Sequence, residues 1–486
     1  MGLQDNADTA VCPKSPTDVP TRLDRLPVML PHIVWISLLT ANLTLEYYDN
    51  ALFAYVIPAI IEDTTFDLGQ IGLIGSAFFG GMIVGALVGG RLSDRFGRRW
   101  VLVWSTALYS AGALTTALAP NFELMLVARV ITGIGVQAAT SALLVYIAEM
   151  FPTKSRGRFV SIVTLAFVII APVVALLAFA VIPNAGPNAW RHLFMWGGVG
   201  LLIAPLVRLL MPESVRWYVI RGNIGKATEI VERLEARALR RGPLSEPQPV
   251  PTGPKELTLR RLLANKGVLR TTAVLSAGYF GSTLGLYLFQ NWALYALVDG
   301  LKYPEVEAYE IQLIWNVVYV ITPVIGLLLM DRVERKTLVF AASLVTAIPL
   351  LVLGVSTNSW AVVVSGGLAG IVTGLVVTVY YAYIPEVMPT NARGLGSGII
   401  MSMGKFGGAA SGVLGAAVYG GWGVAGLMII AAVSYIVFSI VVLVFGPRTM
   451  GRSLEGVVAE ELRAAEQPES PRTPPSRCPS RRNTSS

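Results

Sequence analysis

Four ionisable residues lie inside apolar stretches of the chain that are long enough to cross a bilayer: Glu46, Asp49, Arg129 and Lys405. A charged side chain in the middle of a membrane costs roughly 3 kcal/mol, so its presence usually has a functional reason. Asn42, Glu46 and Asp49 are spaced four and three residues apart, which places all three on one face of a helix. We therefore expect these residues to carry the chemistry of the protein.

Asp49 and Arg129 together suggest a proton switch. At 1.5 Å per residue, Asp49 lies about 18 Å from the end of its span near Ile61, and Arg129 about 12 Å inside the same side of the membrane. An aspartate beside an arginine stays ionised, whereas burial without the arginine favours the protonated form. Glu46 could share this role, bind the solute or only pack. The alternative for Asp49 and Arg129 is a static ion pair that fixes helix packing.

Lys405 is the remaining central charge. It lies about 18 Å from Arg393 along its span, close to the middle of the membrane. It could bind an anionic solute, or it could neutralise Glu46 or Asp49 across the bundle, and the sequence leaves both open.

Polar and aromatic side chains within the spans could complete a site for a small solute. Amides deep in lipid need hydrogen-bond partners, which favours the two adjacent ones in the seventh span. The candidates are Tyr47, Asn50, Gln137, Tyr287, Gln290, Asn291, Asn316 and Tyr380.

The chain repeats itself with an offset of 237 residues (383 − 146 = 237 and 331 − 94 = 237). Residues 146–157 (YIAEMFPTKSRG) return at 383–394 (YIPEVMPTNARG), and residues 94–99 (DRFGRR) return at 331–336 (DRVERK). Two matches in one register indicate two homologous halves, and membrane carriers built this way bind their solute between the halves.

The offset also separates charges that recur in both halves from charges that occur in one half only. The central charges have no charged counterpart in the other half, so the fold does not require them. The equivalents of Glu46, Asp49, Arg129 and Lys405 are Thr283, Leu286, Gly366 and Val168.

The composition predicts an all-α membrane protein. Hydrophobic residues make up 54% of the 486 residues and charged residues 14%, where a soluble protein has about a quarter charged. Apolar runs longer than the roughly 20 residues of a membrane helix recur along the chain. We predict twelve spans in two six-helix bundles, near 33–60, 70–91, 99–118, 122–148, 158–182, 194–211, 269–298, 309–330, 337–356, 360–384, 394–420 and 422–446.

The predicted domains follow from these spans. We predict five regions in this order: a leader (1–32), a first bundle (33–212), a connecting loop (213–267), a second bundle (268–446) and a disordered tail (447–486). The connecting loop contains an amphipathic helix near 225–241 and a short basic helix near 256–265. The first apolar run is too long for a signal peptide. Cys12 and Cys478 lie in the tails, so we expect no disulfide framework.

Lysine and arginine predict the orientation. The loops near 91–99, 153–158, 213–270 and 332–336 are basic, whereas 61–69 carries only acidic charges. By the positive-inside rule, the basic loops and both termini face the cytoplasm.

Residues 90–99 (GRLSDRFGRR) resemble the signature loop of the major facilitator superfamily, and the whole region 33–446 is similar to that family. Residues 129–135 resemble its second signature. Residues 212–217 and both Glu-x-x-Pro-x-x-x-Arg-Gly elements resemble the sugar-porter branch, residues 45–49 the metabolite:proton symporters, and residues 403–407 the aromatic-acid symporters. Gln290-Asn291 stands where sugar porters have two glutamines.

The resemblance implies latches at the cytoplasmic face that hold one access state. We expect Glu149 to pair with Arg156 and Glu386 with Arg393, with a weaker latch in the second half, where Glu334 replaces a glycine. The alternative is a set of solvated charges that only sets orientation. The gate candidates are Asp94, Arg95, Arg98, Arg99, Glu149, Arg156, Asp331, Arg332, Glu386 and Arg393.

These observations predict a monomeric carrier in the cell membrane, not an enzyme, that moves a small polar metabolite (an organic anion, a carboxylate or a sugar) with a proton by alternating access. We find no phosphate-cradling loop and no catalytic triad, and we expect no cofactor, metal or nucleic-acid partner; the proton gradient supplies the energy. Open alternatives are a proton-independent sugar facilitator, a proton-driven drug antiporter and a non-transporting nutrient receptor.

Overall fold

The computed structural model describes residues 18–186, 188–246, 265–330, 332–388 and 393–449, and in these ranges the secondary structure is helical, without strands. Ten of the described helices are long and apolar enough to cross a membrane; Leu30–Asp63 adds one, and a break at Gly423 divides the longest in two. We number the twelve membrane helices α1 Leu30–Asp63, α2 Leu68–Phe96, α3 Arg98–Leu118, α4 Phe122–Met150, α5 Thr153–Ala185, α6 Ala189–Leu210, α7 Lys266–Tyr295, α8 Glu305–Met330, α9 Arg335–Val355, α10 Ser359–Val387, α11 (393–422) and α12 (424–445).

The break between α11 and α12 has a local cause. Gly423 adopts φ 61° and ψ −154°, a conformation that glycine reaches without the steric cost that a Cβ brings. The chain therefore reverses within one continuous run of apolar residues.

Three membrane helices begin with a side-chain cap on the same side of the molecule. Asp67 Oδ1 accepts from the Gln70 backbone N–H at 2.7 Å, and Asn121 and Asn358 cap α4 and α10 in the same way. Such caps satisfy backbone donors that a helix leaves unpaired. We call this side, with residues 61–69, the acidic face, and the side with the loops near 96–98, 150–153 and 211–216 the basic face.

The two halves of the chain, α1–α6 and α7–α12, meet chiefly along three helix pairs: α2 with α11, α1 with α7 and α5 with α8. This arrangement agrees with the predicted pair of six-helix bundles. The boundaries predicted for the domains remain a prediction.

Close contacts hold the halves together near the acidic face. The Ser76 hydroxyl donates to the Ala409 carbonyl at 2.5 Å and accepts from the Val413 N–H at 3.0 Å. The Tyr309 hydroxyl donates to the Tyr55 carbonyl at 2.7 Å. These contacts tie α2 to α11 and α8 to α1.

Two exposed glycines at the basic face have room for a side chain. Gly157 and Gly394, at the starts of α5 and α11, have no other atom within 4 Å of the place where a Cβ would lie. Gly72 of α2, near the acidic face, would instead bring a Cβ within 2.5 Å of the Gly412 carbonyl oxygen. The two halves are therefore packed tightly where α2 meets α11 near the acidic face.

Three short helices lie at the basic face: Asp18–Asp24, Val215–Ile220 and Ile224–Leu239. The third confirms the predicted amphipathic helix, because Ala227, Val231, Leu234 and Ala238 are buried as expected. The basic helix predicted near 256–265 and nearly all of the tail 447–486 lie outside the described residues.

Candidate functional site

Asp49 of α1 and Arg129 of α4 form the ion pair that their depths predict. Arg129 Nη1 donates to Asp49 Oδ2 at 2.7 Å, and each side chain is 1% exposed. The guanidinium carbon lies 5.4, 4.4 and 5.5 Å from the ring centres of Phe53, Phe78 and Phe194, within the range of cation–π attraction. Each charge therefore depends on the other, because packed aromatic rings exclude water from both.

Glu46, one helical turn from Asp49, has different surroundings. The Thr140 hydroxyl of α4 donates to Glu46 Oε2 at 2.5 Å, and Oε1 has no hydrogen-bond partner among the described residues. The ammonium of Lys405 on α11 lies close enough to Glu46 for the two charges to interact. Glu46 and Lys405 form no ion pair within 4 Å, so only the electrostatic effect of Lys405 links Glu46 to the second half, whereas Asp49 is paired within the first half.

A group of five tyrosines is centred on Tyr47, the residue that follows Glu46 in α1. Their hydroxyls are near enough to interact electrostatically, and they come from α1, α7, α8 and α10. We call them the tyrosine cluster: Tyr47, Tyr279, Tyr287, Tyr319 and Tyr381.

The tyrosine cluster borders a hollow between the halves. Tyr381 keeps 53% of its surface exposed although it lies among other cluster members, and Tyr47, Tyr287 and Lys405 are partly exposed in the middle of their spans. Exposed polar groups surrounded by protein at this depth indicate an internal space that can take a small solute. Lys405 lies at its edge, whereas Glu46 is 2% exposed.

Eight of the nine predicted solute ligands divide into three groups. Tyr47, Tyr287 and Lys405 line the hollow, and Asn50 lies beside Tyr287. Asn316 donates to the carbonyl of its own helix neighbour Gln312 at 2.7 Å. The third group is half-buried, and its side chains take part in no hydrogen bond seen in the described ranges: Gln137, Gln290 and Asn291.

Tyr380 does not fit its predicted role. Its side chain is fully buried within the second half, and its ring packs at 5.2 Å from that of Tyr279. Consecutive helical residues point about 100° apart, because a turn takes 3.6 residues, so Tyr381 faces the hollow instead.

Thr140 is a site residue that was not predicted from the sequence. It lies eleven residues after Arg129 on α4, which is about three helical turns and hence the same face. That spacing from an intramembrane arginine is the signal that could have found it.

The predicted latch pairings are wrong in their partners. Glu149 pairs with Arg98 at 3.0 Å instead of Arg156, and Glu386 pairs with Arg335 at 3.1 Å. Arg393 forms no ion pair within the described part of the chain. The two halves nevertheless form equivalent ion pairs, because Arg98 corresponds to Arg335 in the repeat and Glu149 corresponds to Glu386.

Geometry explains the exchange of partners. Glu149 lies in the last turn of α4 beside Arg98, the first residue of α3. Arg156 follows the turn at Pro152 and instead reaches Asp24 of the N-terminal helix at 3.3 Å.

The other gate candidates surround the first-half latch. Asp94 also pairs with Arg98, at 2.9 Å. The carbonyl of Arg95 accepts from Arg221, and the N–H of Arg99 donates to Glu213 at 3.0 Å. In the second half, Arg332 is exposed and Asp331 lies outside the described residues.

Residues 42–460 match the family model described as "Sugar (and other) transporter". The chain belongs to this transporter family. The transporter is 31% identical over 445 residues to the "Putative metabolite transport protein YyaJ" of Bacillus subtilis, covering 89% of this chain and 96% of that protein. It is 26% identical over 442 residues to the "Niacin transporter NiaP" of Acinetobacter baylyi, covering 90% and 99%.

A solved structure supports the fold. The inward-open structure of the xylose transporter XylE from E. coli has a TM-score of 0.68 to this transporter at 20% identity, over 87% of this chain and 98% of that chain. The protein is thus a multi-pass membrane transporter with the major facilitator fold, and not an enzyme.

Proposed function

We propose that the transporter moves a small carboxylate with an aromatic ring, together with a proton, by alternating access. One observation carries the proposal: Lys405 of the second half lies within electrostatic reach of the buried Glu46, and the tyrosine cluster borders a hollow beside them. A cation and several aromatic rings offer the two contacts that such a solute needs.

Charge favours an anionic solute. Lys405 would exchange its interaction with Glu46 for a charge-assisted contact with the incoming carboxylate, which is stronger than a contact between neutral groups. The tyrosine rings offer flat apolar surfaces for an aromatic ring, and their hydroxyls offer hydrogen bonds. Niacin, named for one relative, is a pyridine carboxylate and has this chemistry.

Proton coupling follows from the same contact. An anion bound at Lys405 leaves Glu46 buried beside a negative charge, a condition that favours its protonation. Solute and proton then bind together, because each raises the affinity for the other. Asp49 and Arg129 provide a second switch, in which movement of the arginine would leave Asp49 to take up a proton.

We propose further that the basic face lies in the cytoplasm of a cell, with both termini on that side, because cationic loops remain on the cytoplasmic side of membranes. The latches Arg98–Glu149 and Arg335–Glu386 then belong to the inner gate. The transporter functions as a monomer driven by the proton gradient, without a cofactor.

Uptake into proteoliposomes tests the proposal. With an inward proton gradient, nicotinate or benzoate should accumulate above the external concentration, and a protonophore should abolish accumulation. Xylose should neither accumulate nor compete. Accumulation that survives the protonophore would refute coupling, and xylose uptake without nicotinate uptake would refute the carboxylate.

The Lys405→Gln variant tests the site. Loss of a charged hydrogen bond of about 1.5–3 kcal/mol predicts a rise of about 10- to 150-fold in the KM for nicotinate. Lys302→Gln is the matched control, because Lys302 is a surface residue that pairs only with Asp299 among the described residues. An equal KM in both variants would exclude Lys405 from solute binding.

A further inference from the structure

A cavity of about 920 Å³ lies outside the hollow, at the basic face. The start of α1, the end of α6 and the loop helix Ile224–Leu239 enclose it. We call it the basic groove. It has no part in the proposed solute path, because its walls belong to the outer side of the first half.

The basic groove carries a strong positive charge. Its walls include Arg99, Lys226, Arg233, Arg237, Arg240 and Arg241, against two acidic residues, Glu213 and Glu229.

Both acidic residues are already engaged. The Glu213 carboxylate accepts from the N–H groups of Arg99 and Ser214 at 3.0 and 2.9 Å, and Glu229 pairs with Arg233. Arg237 and Arg240 form no ion pair with any described residue, so they are available to an anion.

A second cavity, which we call the channel, lies further along α1 and α6 toward the middle of the membrane. It measures about 570 Å³, and its mostly apolar wall includes Ala41 and Leu45 of α1, Ile162 of α5 and Ile203 of α6, with three hydroxyl side chains of α1: Ser37, Thr40 and Thr44. Val34, at the basic groove, shares a face of α1 with Ala41 and Leu45, because the spacings are seven and four residues.

The two cavities together have the dimensions of a lipid. From residue 34 to residue 45 the rise along α1 is about 17 Å, comparable to an extended acyl chain. The walls are open to the outside of the protein: Leu30, Val199 and Leu210 are 64%, 47% and 51% exposed. A molecule in the bilayer can therefore enter from the side.

We infer that the two cavities bind one anionic phospholipid from the leaflet at the basic face. The phosphate lies between Arg237 and Arg240, where guanidinium groups can form paired hydrogen bonds to its oxygens. One acyl chain follows the channel between α1 and α6. The lipid thereby fastens the loop helix to the helix that carries Glu46 and Asp49.

Native mass spectrometry of the full-length protein tests this inference, with dioleoyl phosphatidylglycerol and dioleoyl phosphatidylcholine as probes. The wild type should retain one phosphatidylglycerol with at least tenfold preference over phosphatidylcholine. The double variant R237Q/R240Q should lose at least tenfold in affinity. The control R270Q/R332Q removes the same charge from exposed positions of the second half and should change affinity less than twofold.

A second variant tests the acyl chain. Ala41→Trp fills the channel without altering the charge and should also reduce phosphatidylglycerol binding at least tenfold, while the thermal transition shows that the protein is folded. Inorganic phosphate at millimolar concentration should not displace the lipid. Equal losses in R237Q/R240Q and R270Q/R332Q, equal retention of both lipids, or displacement by phosphate would each overturn the inference.

Discussion

Two carboxylates one helical turn apart differ in how each charge is balanced. Asp49 forms an ion pair with Arg129, whose guanidinium lies against three aromatic rings, and both side chains are 1% exposed. Glu46 instead depends on a hydroxyl and on a lysine from the other half. Only the surroundings of Glu46 must change when the halves move. We therefore assign to Glu46 the proton whose binding depends on the solute, and to Asp49 and Arg129 a second proton switch that is buried within the first half.

The Asp49→Asn variant should retain exchange of solute across the membrane and lose accumulation against a gradient. The amide cannot release a proton, and Arg129 keeps a buried charge without a partner, which costs about 3–5 kcal/mol of stability. Paired measurements of counterflow and of gradient-driven uptake in proteoliposomes check this. Asp63→Asn, on the same helix at the acidic face, should retain both activities. Normal accumulation by Asp49→Asn would remove Asp49 from the coupling step.

The sequence predicted the residue types of the site better than their contacts. The contact between Asp49 and Arg129 followed from depth alone, because both lie in regular helices whose rise is known. Tyr381 lines the hollow in place of the predicted Tyr380 because of how the helix is rotated. Consecutive residues point about 100° apart, and the sequence does not define that rotation. The partner of Glu149 depends on the direction of side chains at helix ends, which chain spacing does not determine.

At the scale of elements, the N-terminal helix Asp18–Asp24 was not predicted. Seven residues are too few for a helix that is stable alone, so its order comes from contacts. Arg22 and Arg25 donate to Glu235 of the loop helix at 2.5 and 2.6 Å, and Asp24 accepts from Arg216 at 2.7 Å. The twelve membrane helices, by contrast, followed from apolar runs, because each is stable within lipid without particular partners.

The negative charge of Glu235 holds the N-terminal helix against the loop helix. Burial alone would raise the pKa of Glu235, but the hydrogen bonds and charges of Arg22 and Arg25 outweigh it and hold the pKa below its ordinary 4.5. The stabilisation is thus complete above pH about 4.5 and disappears as the pH falls through the lower pKa of the docked state.

The Glu235→Gln variant should release the N-terminal helix at neutral pH. Loss of charged hydrogen bonds worth about 2 kcal/mol predicts about 30-fold faster hydrogen exchange in residues 18–24. Wild-type protein should show the same release only in acid, after correction for the intrinsic exchange rate. Glu229→Gln on the same helix breaks an exposed pair with Arg233, and such pairs contribute little. Equal exchange in the two variants would show that Glu235 does not hold the helix.

At the scale of the whole molecule, contacts between the halves concentrate at one face. Backbone approaches backbone where α2 meets α11: a Cβ on Gly72 would lie 2.5 Å from the Gly412 carbonyl oxygen and 2.8 Å from the Ala416 Cβ. At the other face, Gly157 and Gly394 at the starts of α5 and α11 have no described atom within 4 Å of a Cβ position, so each could carry a cysteine. Carriers of two repeats work by rocking one half against the other, so closing one face should open the other.

Gly72→Ala should therefore shift the transporter away from the conformation described here. The added methyl group cannot be accommodated while α2 touches α11, so the acidic face opens and the basic face closes. Cysteines at Gly157 and Gly394, in a chain with Cys12 and Cys478 changed to serine, would report closure as a higher yield with a short bifunctional maleimide. On the same helix as Gly72, Gly80 has no other atom within 4 Å of the place where a Cβ would lie. The control Gly80→Ala should therefore leave the yield unchanged. Equal yields in the two alanine variants, with normal thermal transitions, would mean that the tight packing of α2 on α11 does not govern which face is closed.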